Sequence, residues 1–339
     1  MRRRNNSADR KQGAVKAFVC SVMLALATAV AVASAAAAGA KPPRIGFLVF
    51  EEQQCRNEPF AAGLRELGWV EGKNIVVECH HADGRDERLP QVAERLARSR
   101  PAVIVALNHI WAMAAQQATK DIPLVVISSG DPVVSGFAAS LAHPGGNVTG
   151  LTYFALELNA KRLEFLKTIV PGLKRVAVLK NPKSPRVLLD AYLRETRAAA
   201  QAFGIELTIV EAASEPELER AFEQIVQAEA QAVYILASFI FSDMGSKIAD
   251  LAKWNNLPTM HFHDRYPAIG GLMSYAPDYN LLHRRTATYV DKILKGAKPA
   301  DLPIEQPSRF ELHINLATAR ELGLKVPESL LLRADKVIE

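Results

Sequence analysis

After its first forty residues the sequence has no apolar run long enough to span a bilayer. It also lacks the short motifs that announce common chemistry. No Gly-x-Gly-x-x-Gly follows the first hydrophobic strand, and there is no Walker A sequence and no Gly-x-Ser-x-Gly elbow. Cysteine is scarce: of three residues, only Cys55 and Cys79 lie beyond residue 40. An excess of one charge is missing as well. The formal net charge is +5, but Arg2, Arg3, Arg4, Arg10, Lys11 and Lys16 against one Asp place all of it in residues 1–40. Residues 41–339 are therefore neutral, which gives no reason to expect nucleic acid or an anionic membrane as a partner.

What is present begins with those forty residues. A basic segment precedes an Ala-rich apolar run from Ala17 to Ala38, and small-residue sites follow at Ala33-Ser34-Ala35 and Ala38-Gly39-Ala40. This is the pattern of a cleaved export signal, which places the remaining chain in the periplasm. An uncleaved anchor is the alternative. Ala contributes little to insertion, and the small-residue sites sit where a peptidase cuts. Cys20 lies too early in the run for a lipobox.

Residues 41–339 are too many for one ordinary core and suit two domains of about 100–150 residues. Strands are expected at Ile45–Phe50, Asn74–Cys79, Ala102–Leu107, Ile122–Ile127 and Val148–Thr152. Helices are expected at 57–68, 86–99, 110–119 and 133–141. The pattern then restarts. Helices at 157–169, 185–203, 215–229 and 243–255 alternate with strands at Arg175–Leu179, Ile205–Glu211, Ala232–Ala237, Thr259–Phe262 and Leu272–Tyr275. A helix at 280–296, a strand at Phe310–Ile314, a helix at 316–322 and a short closing segment complete the chain. Two rounds of βα alternation predict an α/β fold of two doubly wound parallel-sheet lobes. A tail that must rejoin both sheets predicts a multi-crossing hinge with a ligand cleft between the lobes. The expected division is a signal at 1–40, an N-terminal lobe at 41–152 plus 279–304, and a C-terminal lobe at 153–278 plus 305–339.

In open α/β sheets, ligands sit beyond the carboxyl ends of the strands. The residues expected there to bind a ligand are Asn108, Trp111, Ser128, Ser129, Asp131, Tyr153, Asn181, Ser238, Phe241, His263, Asp264 and Tyr275. They mix polar groups with aromatics, as suits a small polar or zwitterionic ligand with an apolar part. Asp131 has a second reading, as the cap of the following helix. Phe239 and Phe241 have a second reading as core. His261 and His263 share one strand face and could form a metal pair, but further ligands at the usual spacing are missing, so neither metal nor cofactor is expected. Cys55 and Cys79 fall at the ends of neighbouring strands. A disulfide between them is sterically reasonable, and two free thiols is the alternative.

Several segments together resemble one family. They are Gly63-Leu64-Arg65-Glu66-Leu67-Gly68-Trp69-Val70-Glu71-Gly72-Lys73-Asn74, Gly130-Asp131-Pro132-Val133 and Ser140-Leu141-Ala142-His143-Pro144-Gly145-Gly146-Asn147-Val148-Thr149-Gly150-Leu151. Lys161-Arg162-Leu163-Glu164, Gly270-Gly271-Leu272-Met273-Ser274-Tyr275 and the run from Asp291 to Pro303 belong with them. The chain resembles ABC transporter substrate-binding proteins of the tryptophan/tyrosine type, a branch of the type I periplasmic binding fold. The resemblance covers essentially all of residues 44–339. It implies a receptor, not an enzyme, that closes by hinge bending on an amino acid or related metabolite. It also implies delivery to an ABC permease in the inner membrane. The mature chain is expected to be a monomer with a small-molecule ligand as its other partner.

A periplasmic sensor working with a membrane kinase is an alternative. An enzyme on the same fold, such as a racemase acting through Cys55 and Cys79, is another. The chain departs from the family in the cleft. It has Asn108-His109-Ile110-Trp111 where small residues are usual, and His263-Asp264 where Ser-Arg is frequent. Losing an Arg and gaining an Asp favours a ligand with more positive charge or fewer carboxylates.

Overall fold

The computed structural model describes residues 41–153 and 157–339. The export-signal reading of residues 1–40 lies outside them. The first sheet has five parallel strands: β1 (Arg44–Val49), β2 (Val76–His81), β3 (Val103–Ala106), β4 (Leu124–Ser128) and β5 (Val148–Thr152), in the order β2-β1-β3-β4-β5. Strands β1, β3 and β4 are mainly apolar and β5 (Val-Thr-Gly-Leu-Thr) is mixed, and all four are buried almost throughout, as parallel strands covered on both faces must be. Gly150 permits the last pairing. Its φ is +133°, and a Cβ there would lie 2.1 Å from the Val126 carbonyl oxygen, so no larger residue fits between β4 and β5.

The helices of this lobe are α1 (Glu58–Glu66), α2 (Leu89–Arg98) and α3 (His109–Ala118). Asn57 caps α1 by accepting the Phe60 N–H, and Asn108 caps α3 by accepting that of Ile110. The helix expected at 133–141 does not form. The Asp131 carboxylate takes the N–H groups of Val133 and Val134, and Gly136 turns the chain at φ +71°. The segment is spent in tight turns.

The second sheet repeats the order. Strands β6 (Arg175–Lys180), β7 (Glu206–Glu211), β8 (Ala232–Ile235), β9 (Thr259–His261) and β10 (Met273–Ala276) run parallel as β7-β6-β8-β9-β10. Strand β11 (Glu311–Asn315) then pairs antiparallel to β10, and β12 (Lys336–Ile338) closes the edge parallel to β11. The sheet is therefore mixed at one edge. Helices α4 (Glu157–Ile169) and α5 (Arg186–Phe203) cover one face; α6 (Glu215–Gln227) and α8 (Gly245–Trp254) cover the other. A five-residue helix, α7 (Phe239–Asp243), stands where the sequence reads as a connection. Gly204 ends α5 in the left-handed conformation, φ +66°.

The long helix after β10, α9 (Tyr279–Leu294), returns to the first lobe. Leu282, Ala287, Tyr289 and Val290 join that lobe's core. Gly63 of α1 makes the approach possible, since a Cβ there would meet the Arg284 carbonyl oxygen at 2.6 Å. The chain then runs beside β5, with Glu305 bonded to Gly150 and Thr152, before entering β11. It thus passes between the lobes three times: after Tyr153, before α9 and after Glu305. Helices α10 (Leu316–Glu321) and α11 (Glu328–Leu331) finish the second lobe. Among the described residues no helix is long and apolar enough to cross a membrane.

Candidate functional site

Both sheets point the carboxyl ends of their parallel strands at one cleft of about 1190 Å3. That is the place where an open α/β sheet offers loops and helix starts to a ligand.

The first lobe supplies the loop after β1, the start of α3 and the loop after β4. Gln54 organises the first of these by accepting the N–H groups of Phe50 (3.0 Å) and Glu51 (3.1 Å). Cys55 and Cys79 form a disulfide, with Cα atoms 5.8 Å apart, that ties this turn to β2. Phe50, Gln53 and Arg56 then face the cleft. Asn108 lines it too, with its side-chain oxygen already used in capping α3. Trp111 follows one turn along that helix.

The second lobe supplies Asn181 and Lys183 after β6, α7 after β8, and His263-Asp264-Arg265 after β9. Asn181 donates to the Ser238 hydroxyl at 3.0 Å, fixing the start of α7. The hinge supplies the floor. Tyr279 sits between Tyr153 (centroids 5.3 Å apart, edge on) and His263 (4.3 Å, stacked). His283 meets Asn57 at 3.1 Å.

The lobes already touch across the cleft. The Tyr192 hydroxyl on α5 donates to the Ser129 carbonyl at 2.8 Å. Phe239 on α7 lies 5.2 Å from the Trp111 ring and 5.7 Å from the Phe50 ring, edge on to both.

Electrostatics follow from enclosure. Burial holds His109 and His283 down at about 4, so both are neutral at pH 7. His109 is anchored to the Ser128 hydroxyl at 2.8 Å. Burial likewise holds His261 well below its ordinary value. Asp243 is exposed to the cleft, yet loss of water to the cleft walls and the nearby Glu51 charge push it up to about 6. Burial raises Asp264 as well, but its 2.8 Å contact with His263 and the His263 and His313 charges outweigh that and hold it low. The Arg56, Lys183 and Arg265 side chains form no ion pair among the described residues. Three cations are thus left for an anionic group.

Eight of the twelve expected residues line this cleft: Asn108, Trp111, Ser129, Tyr153, Asn181, Ser238, His263 and Asp264. Four lie elsewhere. Ser128 is wholly buried beneath the floor, bonded to His109 and Gly130. Asp131 caps its turn. Phe241 is wholly buried in the second lobe's core, because residues two apart on a helix face nearly opposite ways and Phe239 takes the cleft side. Tyr275 packs on Phe165 and Phe310 outside the cleft.

His261 and His263 do not converge on one point. The His261 Nδ1 accepts the His263 N–H at 3.0 Å, while His263 turns to Asp264. Among the described residues no three His, Cys, Asp or Glu side chains are placed to hold a metal ion.

Lys183, Asp243, Arg265 and His283 also line the cleft without a sequence signal that singles them out. Arg56 ends the loop Glu51-Glu52-Gln53-Gln54-Cys55-Arg56, which its place after the first strand assigns to the cleft. Asp243 stands one helical turn beyond Phe239.

The fold has known counterparts. Residues 51–338 match the family model described as ABC transporter substrate binding protein. A tyrosine-binding protein from Clostridioides difficile is 24% identical over 272 residues, covering 78% of this chain and 76% of the relative. A conserved domain protein from Vibrio cholerae superposes with a TM-score of 0.80 at 26% identity, covering 88% of this chain and 100% of that one. An ABC domain from Streptococcus pneumoniae, solved in complex with L-Trp, superposes at 0.79 with 24% identity over the same shares of the two chains.

Proposed function

We propose that this chain, which belongs to the ABC transporter substrate-binding protein family, is an exported receptor for an amino acid or closely related zwitterion. It would hand that ligand to a permease in the inner membrane. One observation carries the reading. A single cleft collects aromatic rings, amide and hydroxyl groups and unpaired cations from both lobes, so only a closed protein makes every contact. Arg56, Lys183 and Arg265 are candidates for the ligand's carboxylate. Tyr153 and Tyr279 offer ring surface to its apolar part, and Ser129, Asn181 and Ser238 offer orienting hydrogen bonds.

Arg56, Lys183 and Arg265 suit a ligand carboxylate, and Glu87 and Asp243 in the same lining suit its ammonium group, as a zwitterion needs. The tyrosine and tryptophan named for the relatives make aromatic amino acids the first ligands to try. The reading takes residues 41–152 plus 279–304 as one lobe and 153–278 plus 305–339 as the other. It places the mature monomer in the periplasm and involves no covalent chemistry.

Calorimetric titration of residues 41–339 against the twenty amino acids and their deaminated and decarboxylated analogues tests it. Saturable binding of an amino acid, lost when its carboxylate is removed, is the expected result. Absence of binding by every amino acid would overturn it.

A further inference from the structure

Phe239 belongs to the second lobe by sequence and to the first lobe by packing. It is the first residue of α7, directly after the β8 connection. Yet its ring packs against the core of the first lobe. There it meets two rings edge on: Phe50, which ends β1, at 5.7 Å, and Trp111 on α3 at 5.2 Å. Both partners are fixed from behind. Trp111 is 5% exposed, and the Phe50 N–H is held by Gln54 in the turn that the disulfide ties to β2. A rigid two-ring notch on one lobe therefore receives a single ring from the other.

We infer that Phe239 is an interlobe latch that sets the receptor's affinity by setting how often the ligand-free protein is closed. The arrangement needs no ligand, since every contact is made by the chain itself. Edge-on aromatic pairs contribute beyond the area they bury, and two such pairs open and close together with the hinge. Tyr192, bonded to the Ser129 carbonyl, spans the cleft from another element and keeps the same two surfaces in register. When only the closed form binds, apparent affinity scales with the fraction closed. A latch therefore acts on all ligands by one factor and leaves their ranking unchanged. A residue that merely touches the ligand would change the ranking. The affinity arm rests on the receptor reading above; the latch itself does not.

The test uses residues 41–339 carrying Phe239→Ala, Phe239→Tyr or Trp111→Ala, and the double variant Phe239→Ala/Trp111→Ala. Small-angle X-ray scattering of the ligand-free proteins reads closure without any ligand. The expected result is a larger radius of gyration for Phe239→Ala, a value restored by Phe239→Tyr, a smaller increase for Trp111→Ala, which keeps the Phe50 pair, and a double variant no more open than Phe239→Ala. L-tyrosine, L-phenylalanine and L-tryptophan are then titrated as probes. The expected loss for Phe239→Ala is roughly 5- to 100-fold, equal for each probe that binds wild type.

An unchanged radius of gyration in Phe239→Ala, with the circular dichroism of a folded protein, would overturn the latch. So would losses that differ widely among probes. If none of the three probes binds wild type, the scattering arm still decides the latch, and the failure belongs to the choice of ligand.

Discussion

Trp69 donates its indole N–H to the Asp291 carboxylate at 2.9 Å, joining two positions 222 residues apart in the chain. The bond fastens α9 to the lobe it returns to, on the side away from the cleft. Asp291 also receives Lys295, one turn along, at 2.7 Å. Trp69→Phe removes the donor and leaves the carboxylate its second partner. The expected loss is about 1–2 kcal/mol, read as a lower urea midpoint. A midpoint equal to wild type would show that α9 is held by its apolar face alone.

The Cys55–Cys79 bridge closes a loop of 24 residues in sequence. Loop-closure entropy of that size stabilises the oxidised protein by about 3 kcal/mol. Calorimetry with and without a phosphine reductant should show a lower melting temperature for the reduced protein. The Cys55→Ser/Cys79→Ser variant should melt with the reduced form and ignore the reductant. Equal melting of oxidised and reduced wild type would mean that the bridge spans a loop already ordered without it.

Gly150→Ala is expected to be severe. The added Cβ meets the Val126 carbonyl oxygen at 2.1 Å and its amide nitrogen at 2.7 Å, and the backbone sits at φ +133°. Backbone cannot yield as a side-chain end can, so a loss above about 3 kcal/mol or failure to fold is expected. Gly172→Ala, at φ +68° with open space around it, separates the two causes. It should lose only about 1 kcal/mol. Comparable losses at both positions would show that backbone angle, not the close approach of β4 and β5, decides.

Acid stability carries two opposed signs. His109 and His283 are lowered in the folded protein from 6.5 to about 4. Below 6.5 the unfolded chain binds protons that the folded protein refuses, so stability falls as pH drops from about 6.5 to 4. For the nearly enclosed His109 the limit is on the order of 3 kcal/mol. Asp243 is raised from 3.8 to about 6. The folded protein therefore gains its proton first, and stability rises as pH falls across that window. Melting temperatures from pH 8 to 4 should decline below 6.5. The slope should be shallower in His109→Gln and steeper in Asp243→Asn. The reverse order of slopes would refute the assignment of these groups.

Much of the fold was legible because its strands carry their own signal. Val148–Thr152 and residues 157–169 were placed to the residue, and most other elements to within two or three. The repeated β–α alternation settled the lobes. The expected helix at 133–141 failed for a local reason. Its apolar spacing is helical, but Asp131 and Gly136 fold the backbone before a second turn can form. Helix α7 went unseen because five residues are too few for a period to show.

The site was legible only as far as strand ends predict it. Position along the chain identified the loops that face the cleft, so Asn108, Asn181 and His263 were found. It could not say which of two neighbouring side chains faces inward. Ser128 and Ser129 are adjacent, and only the second reaches the cleft. Phe239 and Phe241 were separated by the helix phase, which the sequence did not reveal. His283 escaped because it stands on α9, whose return across the hinge brings it beside Asn57.

That return sets the order in which the molecule can assemble. The first lobe draws Leu282, Tyr289 and Ile293 into its core, so its interior stays incomplete until nearly the whole chain is present. Strands β1 to β5 can gather earlier, but one face of their sheet lacks its cover. A chain that emerges N-terminus first therefore leaves its leading lobe open until its last quarter arrives. The lobe that comes first in sequence thus closes only after β6 to β10 have been made, and its final piece is the same helix that carries the hinge tyrosine.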